Sequence, residues 1–345
     1  MSFISTSILL AFIFRSSLSS NVASLFSSEM YGEDPDWPHV CRGGSNWSSA
    51  KCPSNATCCP MRFGATGTGC CPFPNAVCCP GALECCPSGT SCVPTGDAPP
   101  YSSGTYMCQD PTTKTNLTIS KAPCKPGPSS PPNATLKNVV IIGDSVSIGY
   151  VGWVAYLLQD IALVQHAPWE YLPGQGGDGG CEETAYGVQC VDYFLRSPSG
   201  IPFKADLVYF NWGIHNMGSN IFPGQAGPLE VYATELANIT AQLKAYSAAS
   251  GAQLLFATTT PNMCDAPSDI IINGTINPQA SSIMNNNGIP IVDHHAAIIA
   301  ACGYSPNKDC LGFGGCWCPH CANGGYQWLA NTTIVPAIRR ILTGS

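Results

Sequence analysis

The stretch GCWCPHCANGGY, residues 315–326, holds three cysteines and a histidine within six residues near the end of the chain. Three chemistries suit such a cluster: a redox pair in CPHC, a zinc site built from the thiols and His320, or a catalytic base, His320, in a disulfide-braced loop. Only 24 residues follow Cys321, too few to complete a thioredoxin-like fold. Closely spaced thiols of a secreted chain become disulfides more often than zinc ligands. The braced base is therefore favoured, and we expect no resident metal or cofactor.

A second candidate group is Ser145, which follows Gly143 and Asp144 at the end of the apolar run KNVVIIGDS. A glycine permits a sharp turn after a strand, and a serine at the next helix N-terminus has backbone N–H groups beside it. Such a serine suits a nucleophile, because those N–H groups can stabilise an oxyanion. The alternative is an ordinary strand-to-helix turn with Ser or Asp as the helix cap.

Two further segments belong to the same edge of a predicted sheet. FNWGIHN ends the third strand and brings His215 and Asn216 toward Ser145. The glycine-rich loop GQGGDGGCEET follows the second strand and offers N–H groups to a charged oxygen. No Gly-Lys-Ser/Thr follows the loop, which disfavours a phosphate-binding loop.

These segments need strands and helices to position them. Strand-like runs occur at KNVVIIGDS, ADLVYFNWG, AQLLFATTT and IPIVDHH, and helical patterns at VGWVAYLLQDIALV, PLEVYATELANITAQLKAYSAASG and TTIVPAIRRIL. Strands that alternate with helices predict a parallel sheet covered on both faces, with ligands at the carboxyl ends of the strands.

The composition favours a secreted protein. Residues 1–23 have the short apolar run of a signal peptide, and the 345 residues include 21 cysteines, as in an oxidising compartment. Only 10% of the residues are charged, the net charge is -7, and no basic stripe is present, so nucleic acid is not an expected partner. No apolar run after residue 23 is long enough to predict a membrane span. Glycosylation is expected at the seven Asn-x-Ser/Thr sites, Asn46, Asn55, Asn116, Asn133, Asn238, Asn273 and Asn331.

Twelve cysteines fall within residues 41–108, and four adjacent pairs stand out. Neighbouring side chains of an extended chain point to opposite sides, so each pair can bond in two directions and build a ladder of hairpins. Residues 41–108 resemble a granulin module, and the segment CCPMRFGATGTGCCPFPNAVCCPGALECCPSGTSC carries the resemblance. The resemblance implies a disulfide-held domain with an extracellular partner. Residues 109–136, rich in Pro, Ser and Thr, predict a linker in which Cys124 can tie to one domain.

Residues 137–345 resemble the SGNH hydrolases, also called GDSL esterases and lipases. GDSVSIGY resembles the nucleophile block, GQGGDGGC the second block, GIHN the third and PHCANGGYQWLA the last. The resemblance implies a flavodoxin-like three-layer α/β/α domain with Ser145 as nucleophile and His320 as base. It also implies oxyanion-hole groups from Ser145, Gly177 or Gly179, and His215.

This chain departs from the family pattern at two positions. His215 replaces the oxyanion-hole asparagine, and a neutral imidazole can still donate one N–H. Trp317 stands where the family places an aspartate, so Asp309, more weakly Asp293, or a backbone carbonyl must orient the base.

Nine cysteines remain outside the predicted granulin module, an odd number that leaves at least one free or paired with another molecule. A local Cys181–Cys190 bridge is expected. We expect the cysteines before and around His320 to brace its loop.

The predicted function is that of a secreted serine esterase that hydrolyses ester bonds, with acylated or acetylated glycans as the substrate class. An O-acyltransferase of the same fold is one alternative. A catalytically decayed protein that binds glycans or mediates extracellular adhesion is another.

Overall fold

The computed structural model describes residues 39–41, 50–52, 54–60, 68–80, 84–94, 106–119, 124–125, 127–128, 130–168, 180–197, 200–218, 226–304, 310, 320 and 323–344. The predicted signal peptide, residues 1–23, lies outside this part of the chain, as do Gly177, Gly179 and Asp309.

The cysteine-rich N-terminal region consists of short antiparallel strands. They are β1 (His39–Cys41), β2 (Ala50–Cys52), β3 (Thr57–Pro60), β4 (Thr68–Cys71), β5 (Val77–Cys78), β6 (Cys85–Cys86), β7 (Ser91–Pro94), β8 (Tyr106–Gln109) and β9 (Asn116–Ile119). Strands β1–β2, β3–β4 and β5–β6 form pairs, and β7, β8 and β9 form a three-stranded sheet.

Disulfides join these strands in the ladder that the adjacent cysteines predict. The described bridges are Cys52–Cys70, Cys59–Cys78, Cys71–Cys85, Cys79–Cys92 and Cys86–Cys108. Cys70 and Cys71 bond in opposite directions along the ladder. The cysteines themselves fill the small buried clusters of this region, so covalent bonds replace a large apolar core.

The second domain is built on a five-stranded parallel sheet. Its strands are β10 (Lys137–Ile142), β11 (Ala162–Ala167), β12 (Leu207–Phe210), β13 (Gln253–Ala257) and β14 (Ile291–Val292). They stand in the order β11-β10-β12-β13-β14, and every neighbouring pair is parallel. Counted from β10, this is the flavodoxin-like order 2-1-3-4-5, which confirms the predicted fold class.

Helices cover both faces of the sheet. They are α1 (Ser145–Leu158), α2 (Thr184–Phe194), α3 (Tyr232–Ser250), α4 (Ala266–Ile271), α5 (Asn277–Asn286), α6 (His294–Cys302), α7 (Asn323–Leu329) and α8 (Val335–Thr343). Val140 and Ile142 of β10 pack in the core that α2, α3 and α5 share, whereas Val139 and Ile141 pack toward α1, α7 and α8. Successive residues of one strand thus serve two cores, as a sheet between two helical layers requires.

Two sequence-based expectations need correction. The run VGWVAYLLQDIALV is not one helix, because α1 ends at Leu158 and Ala162 begins the parallel strand β11. The predicted linker is partly structured: Asn116–Ile119 pairs with β8, and Cys124 and Lys125 are buried. Within the described residues, no helix has the length and apolar character needed to cross a membrane.

Helix α3 depends on its apolar face, and Gly251 ends it in the left-handed conformation that favours glycine. Leu236 is fully buried in the core between α3 and the sheet. We expect Leu236→Ala to lower the free energy of unfolding by about 2–5 kcal/mol, because it removes buried methyl groups and leaves a cavity. Chemical denaturation measures this change. The exposed Thr234→Ala on the same helix is the control, and an equal loss in both variants would contradict the expected packing of α3.

Candidate active site

The candidate site lies where the carboxyl ends of β10, β12 and β13 meet. Strand β10 leads into the turn Gly143-Asp144-Ser145, and β12 leads through Gly213 to His215. A small cleft between these ends is lined by side chains that include Asp144, Asn211 and Thr259. The parallel sheet therefore brings together segments that are far apart in sequence.

The turn after β10 places Ser145 as the first residue of α1. Asp144 is the N-cap, and its carboxylate accepts a hydrogen bond from the Val146 N–H at 2.9 Å. Ser147 donates its hydroxyl to the Asp144 carbonyl at 2.6 Å and also lies 2.6 Å from Nε2 of the buried His166. The turn is thus held from the inside, while the Ser145 N–H belongs to the first turn of the helix, where amides have no partner within the helix.

Ser145 and His320 contact each other. The Ser145 Oγ lies 3.3 Å from the His320 Nε2, although the two residues are far apart in sequence. His320 precedes α7, which begins at Asn323 and packs against α1. The predicted serine–histidine contact is therefore present in the structure.

The other ring nitrogen of His320 faces Tyr326, a residue to which the sequence pattern alone gives no role. The Tyr326 hydroxyl lies 3.1 Å from the His320 Nδ1, and its ring is buried. Gly149 on α1 makes room for this ring, because a Cβ at that position would overlap it. The sequence signal was weak: a Gly-Tyr pair follows the histidine, but the facing glycine lies in a distant helix.

The surroundings of His320 oppose its protonation. Partial removal of the ring from water lowers the pKa of His320 below its usual value of about 6.5. The neighbouring His215 lowers this pKa further, whereas the Asp144 carboxylate raises it. The dominant cause is desolvation, so the neutral imidazole is favoured.

The structure separates the two polar residues of GIHN. Asn216 is fully buried, and its side-chain amide exchanges hydrogen bonds with the Thr184 backbone N–H and hydroxyl at 3.2 and 2.8 Å. His215 is only partly buried and lies close enough to His320 to affect its pKa. Asn216 thus joins the segment after β12 to the start of α2. Of the two residues, His215 is the one that lies near His320.

The end of the glycine-rich loop packs directly against the turn Gly143-Asp144-Ser145. Gly180 adopts a left-handed conformation with φ of 62°, and a Cβ there would overlap the Gly143 carbonyl oxygen. The next residue, Cys181, donates its backbone N–H to that same carbonyl at 2.9 Å. Gly177 and Gly179, predicted as oxyanion-hole residues, lie outside the described residues, so their roles stay predictions.

The carboxylates proposed to orient the base differ in what the structure records. Asp293 caps α6, where its carboxylate accepts hydrogen bonds from the Ala296 N–H at 2.9 Å and the Thr258 hydroxyl at 3.0 Å. Asp309 lies outside the described residues. Among the described side chains, the one within hydrogen-bond distance of the His320 Nδ1 is Tyr326.

Two other histidines near this edge are held in the interior. His294 lies 2.6 Å from the Tyr209 hydroxyl, and its burial lowers its pKa to about 3. His295 forms a buried pair with Asp269 at 3.1 Å. Neither histidine has the exposure that His320 shows beside Ser145.

The disulfides around the site correct one expectation. Cys190 bonds to Cys124, so the expected Cys181–Cys190 bridge is wrong. Cys181 is a free, fully buried thiol, and its burial, together with Asp144, raises its pKa well above the usual range. Cys302 bonds to Cys310 upstream of His320, while Cys316, Cys318 and Cys321 lie outside the described residues.

In the described part of the chain, no cluster of free thiols is available to bind a metal ion. Two sets of three cysteines come close together, Cys59, Cys71 and Cys85 and then Cys79, Cys86 and Cys92, but each of these six is in a disulfide.

A larger groove of about 750 Å³ lies at the opposite edge of the sheet. Its lining includes Lys137, Asp160, Lys204 and Asp206 near the amino ends of the strands, and no histidine or cysteine among the described residues. The groove therefore offers space without the serine–histidine pair.

Comparison with solved structures finds similar chains among lipases and esterases. A catalytic mutant of an acetylxylan esterase from Geobacillus stearothermophilus is 13% identical, with a TM-score of 0.42 over 62% of this chain and 96% of that chain. A GDSL-like lipase from Bacteroides thetaiotaomicron is 14% identical, with a TM-score of 0.41 over 61% and 92%. A lipase/acylhydrolase from Enterococcus faecalis is 16% identical, with a TM-score of 0.40 over 59% and 96%.

Comparison at the level of sequence identifies the N-terminal module. No curated protein sequence matches the chain. Residues 57–98 match the Granulin family model, which confirms the predicted resemblance over that segment. The chain thus carries a granulin-type module at residues 57–98, beside an α/β/α domain whose structural neighbours are lipases and esterases.

Proposed function

We propose that the chain is a secreted serine esterase of the SGNH type. The observation that carries the proposal is the 3.3 Å contact between the Ser145 Oγ, at a helix N-terminus, and the His320 Nε2. A serine hydroxyl becomes a strong nucleophile when an adjacent base accepts its proton, and a neutral imidazole within reach is such a base.

The reaction proceeds in two acyl-transfer steps. The Ser145 Oγ attacks the ester carbonyl while the His320 Nε2 accepts its proton, and the resulting imidazolium returns that proton to the departing alcohol. Water then attacks the acyl-enzyme, again with His320 as base. The serine is regenerated, and a carboxylic acid leaves.

The negative charge of each tetrahedral intermediate needs hydrogen-bond donors. The Ser145 N–H in the first turn of α1 is one proposed donor, and the positive end of the helix favours an anion there. The His215 side chain and a glycine N–H at Gly177 or Gly179 are the other proposed donors. An imidazole that is neutral overall still has one ring N–H, with which His215 can donate.

His320 must carry its proton on Nδ1 before it can accept one at Nε2. The Nδ1–H then donates to the Tyr326 oxygen, 3.1 Å away. We assign Tyr326 the positioning role that the family gives to an aspartate. A neutral phenol can fix the ring and its tautomer, but it stabilises the imidazolium less than a carboxylate does.

The proposed substrates are acylated or acetylated glycans in the extracellular space, a choice that follows from the four resembling sequence blocks. The disulfide ladder of the granulin module supports an oxidising compartment. A partner of the granulin module there is part of the proposal.

Loss of either member of the serine–histidine pair should abolish esterase activity. The full-length protein from an oxidising host is assayed with p-nitrophenyl acetate, and Ser145→Ala and His320→Gln are each expected to lower kcat/KM by at least about 10³-fold. The exposed Ser282→Ala is the control and should keep the wild-type rate. A folded Ser145→Ala variant with the wild-type rate would rule the mechanism out. Product transfer to an added sugar in place of hydrolysis would identify the acyltransferase alternative.

The pH profile should report the low pKa of His320. Only the neutral imidazole accepts the serine proton. The value of kcat/KM therefore reaches its maximum above the pKa of His320 and falls as the pH drops through that pKa. The midpoint should lie below 6.5, the usual histidine value. His215→Asn removes a group that lowers this pKa, so the midpoint should move to higher pH. Arg339→Gln is the control, because Arg339 lies in α8 and pairs with Asp160 just beyond the end of α1. An unmoved midpoint in His215→Asn would contradict the coupling.

Removal of the Tyr326 hydroxyl should slow catalysis without disturbing the packed ring. Tyr326→Phe is expected to lower kcat by about tenfold, the worth of one hydrogen bond, and to move the acidic midpoint to lower pH, because the imidazolium loses an acceptor. Tyr304→Phe, at an exposed tyrosine, is the control. A larger loss in Asp309→Asn than in Tyr326→Phe would assign the orienting role to Asp309 instead.

A further inference from the structure

We propose that Lys125 is a positioning residue for the turn Gly143-Asp144-Ser145, which we call the nucleophile turn. We also propose that the granulin module holds Lys125 in place. The catalytic part of this inference rests on the proposed function. The structural part, that Lys125 fixes the Gly180–Cys181 turn against Gly143, stands on contacts that do not depend on any activity.

Lys125 is buried although it lies in the Pro- and Ser-rich segment between the two domains. It is 4% exposed, and its ammonium donates to the Gly180 carbonyl at 2.8 Å and to the Glu182 carboxylate at 3.2 Å. Its own backbone N–H donates to the Tyr186 hydroxyl at 3.1 Å. A buried ammonium is costly unless it is paired and hydrogen-bonded, so these contacts determine the position of the chain around it.

One residue that Lys125 contacts, Gly180, lies directly against the turn Gly143-Asp144-Ser145. Gly180 has no room for a side chain against the Gly143 carbonyl, and the Cys181 N–H donates to that carbonyl. Glu182 adopts a left-handed conformation with φ of 54°, which is unfavourable for a residue with a side chain and persists only when its surroundings enforce it. A shift of the Lys125 ammonium would therefore pass through Gly180 to the turn that carries Ser145.

Cys124, the residue before Lys125, is bonded to both domains. The Cys124 backbone exchanges hydrogen bonds with the Cys70 backbone of the granulin module at 2.9 and 3.0 Å. Its sulfur bonds to Cys190 of α2. Tyr193, on the same helix, packs against the cluster of Cys52, Ala56 and Cys70. The module thus contacts the α/β domain through a strand-like pair, a disulfide and an aromatic side chain.

The test replaces the buried ammonium in the full-length protein. Lys125→Met keeps most of the apolar stem but breaks both contacts, and Glu182→Gln removes only the charge of the partner. Lys137→Met is the matched control, because that ammonium makes a 3.1 Å ion pair with Asp206 but is exposed. For Lys125→Met we expect kcat to fall about tenfold to 100-fold, the effect of an ångström-scale misplacement, with KM within about twofold and an unchanged acidic midpoint. The midpoint stays because desolvation, the dominant cause of the low pKa of His320, does not involve Lys125.

A second readout follows the turn itself. Cys181 is buried with a raised pKa, so it reacts with iodoacetamide only when its surroundings open. We expect Lys125→Met to speed alkylation of Cys181 by at least about tenfold, measured by peptide mass spectrometry under native conditions, with Lys137→Met at the wild-type rate. Glu182→Gln should have a smaller effect, because the Gly180 carbonyl keeps its donor.

The outcomes separate the two proposals. A wild-type protein that cleaves no ester would overturn the proposed function, while the Cys181 alkylation rates would still decide the positioning role of Lys125. A folded Lys125→Met variant with wild-type kcat and wild-type Cys181 alkylation would overturn the positioning role and leave the esterase in place. If Lys125→Met does not fold, Lys125→Met with Glu182→Gln removes both charges and takes its place in the same assays.

Discussion

The close approach of two glycine backbones is the contact on which the rest of the site depends. Gly180 lies against the Gly143 carbonyl at a distance that leaves no room for a Cβ, and the Cys181 N–H donates to the same oxygen. This contact fixes the chain at the carboxyl end of β10 relative to the start of α2. Asp144 can then cap α1, and Ser145 takes the first helical position. Because the strands are parallel, the segment after β12 reaches the same edge.

The granulin module can hold the segment around Lys125 in place because disulfides fix the shape of the module. A module that small has little apolar core, so its shape rests on covalent bonds that remain when local packing loosens. Backbone hydrogen bonds between Cys70 and Cys124 join that ladder to the chain just before Lys125. A buried charge needs its partners in fixed places, and a disulfide-held neighbour supplies this better than a free polar linker does.

The sequence predicted what local pattern and parallel topology determine. The buried strands, the helix α3 and the cysteine ladder follow from periodicity and from the alternation of neighbouring side chains. The pairing of Ser145 with His320 was expected only from the resemblance of their two sequence blocks to a known family. Contacts between distant segments were missed: Tyr326 depends on Gly149 in α1, and Cys190 bonds to Cys124 and not to the nearer Cys181. Residues 162–164 were assigned to a helix because α1 and β11 form one apolar run, which periodicity alone cannot divide.

The charges and hydrogen bonds around His320 determine how readily its imidazole takes up a proton. A carboxylate at Nδ1 would stabilise the imidazolium, whereas the Tyr326 phenol carries no charge to do so. His215 and desolvation both lower the pKa of His320, and Asp144 opposes them only in part. A base with a lower pKa is a weaker proton acceptor, but its neutral form persists to lower pH. A weaker proton acceptor depends more on its position. The Tyr326 hydroxyl contacts one nitrogen of the His320 ring, and the Gly180–Gly143 contact fixes the turn that carries Ser145.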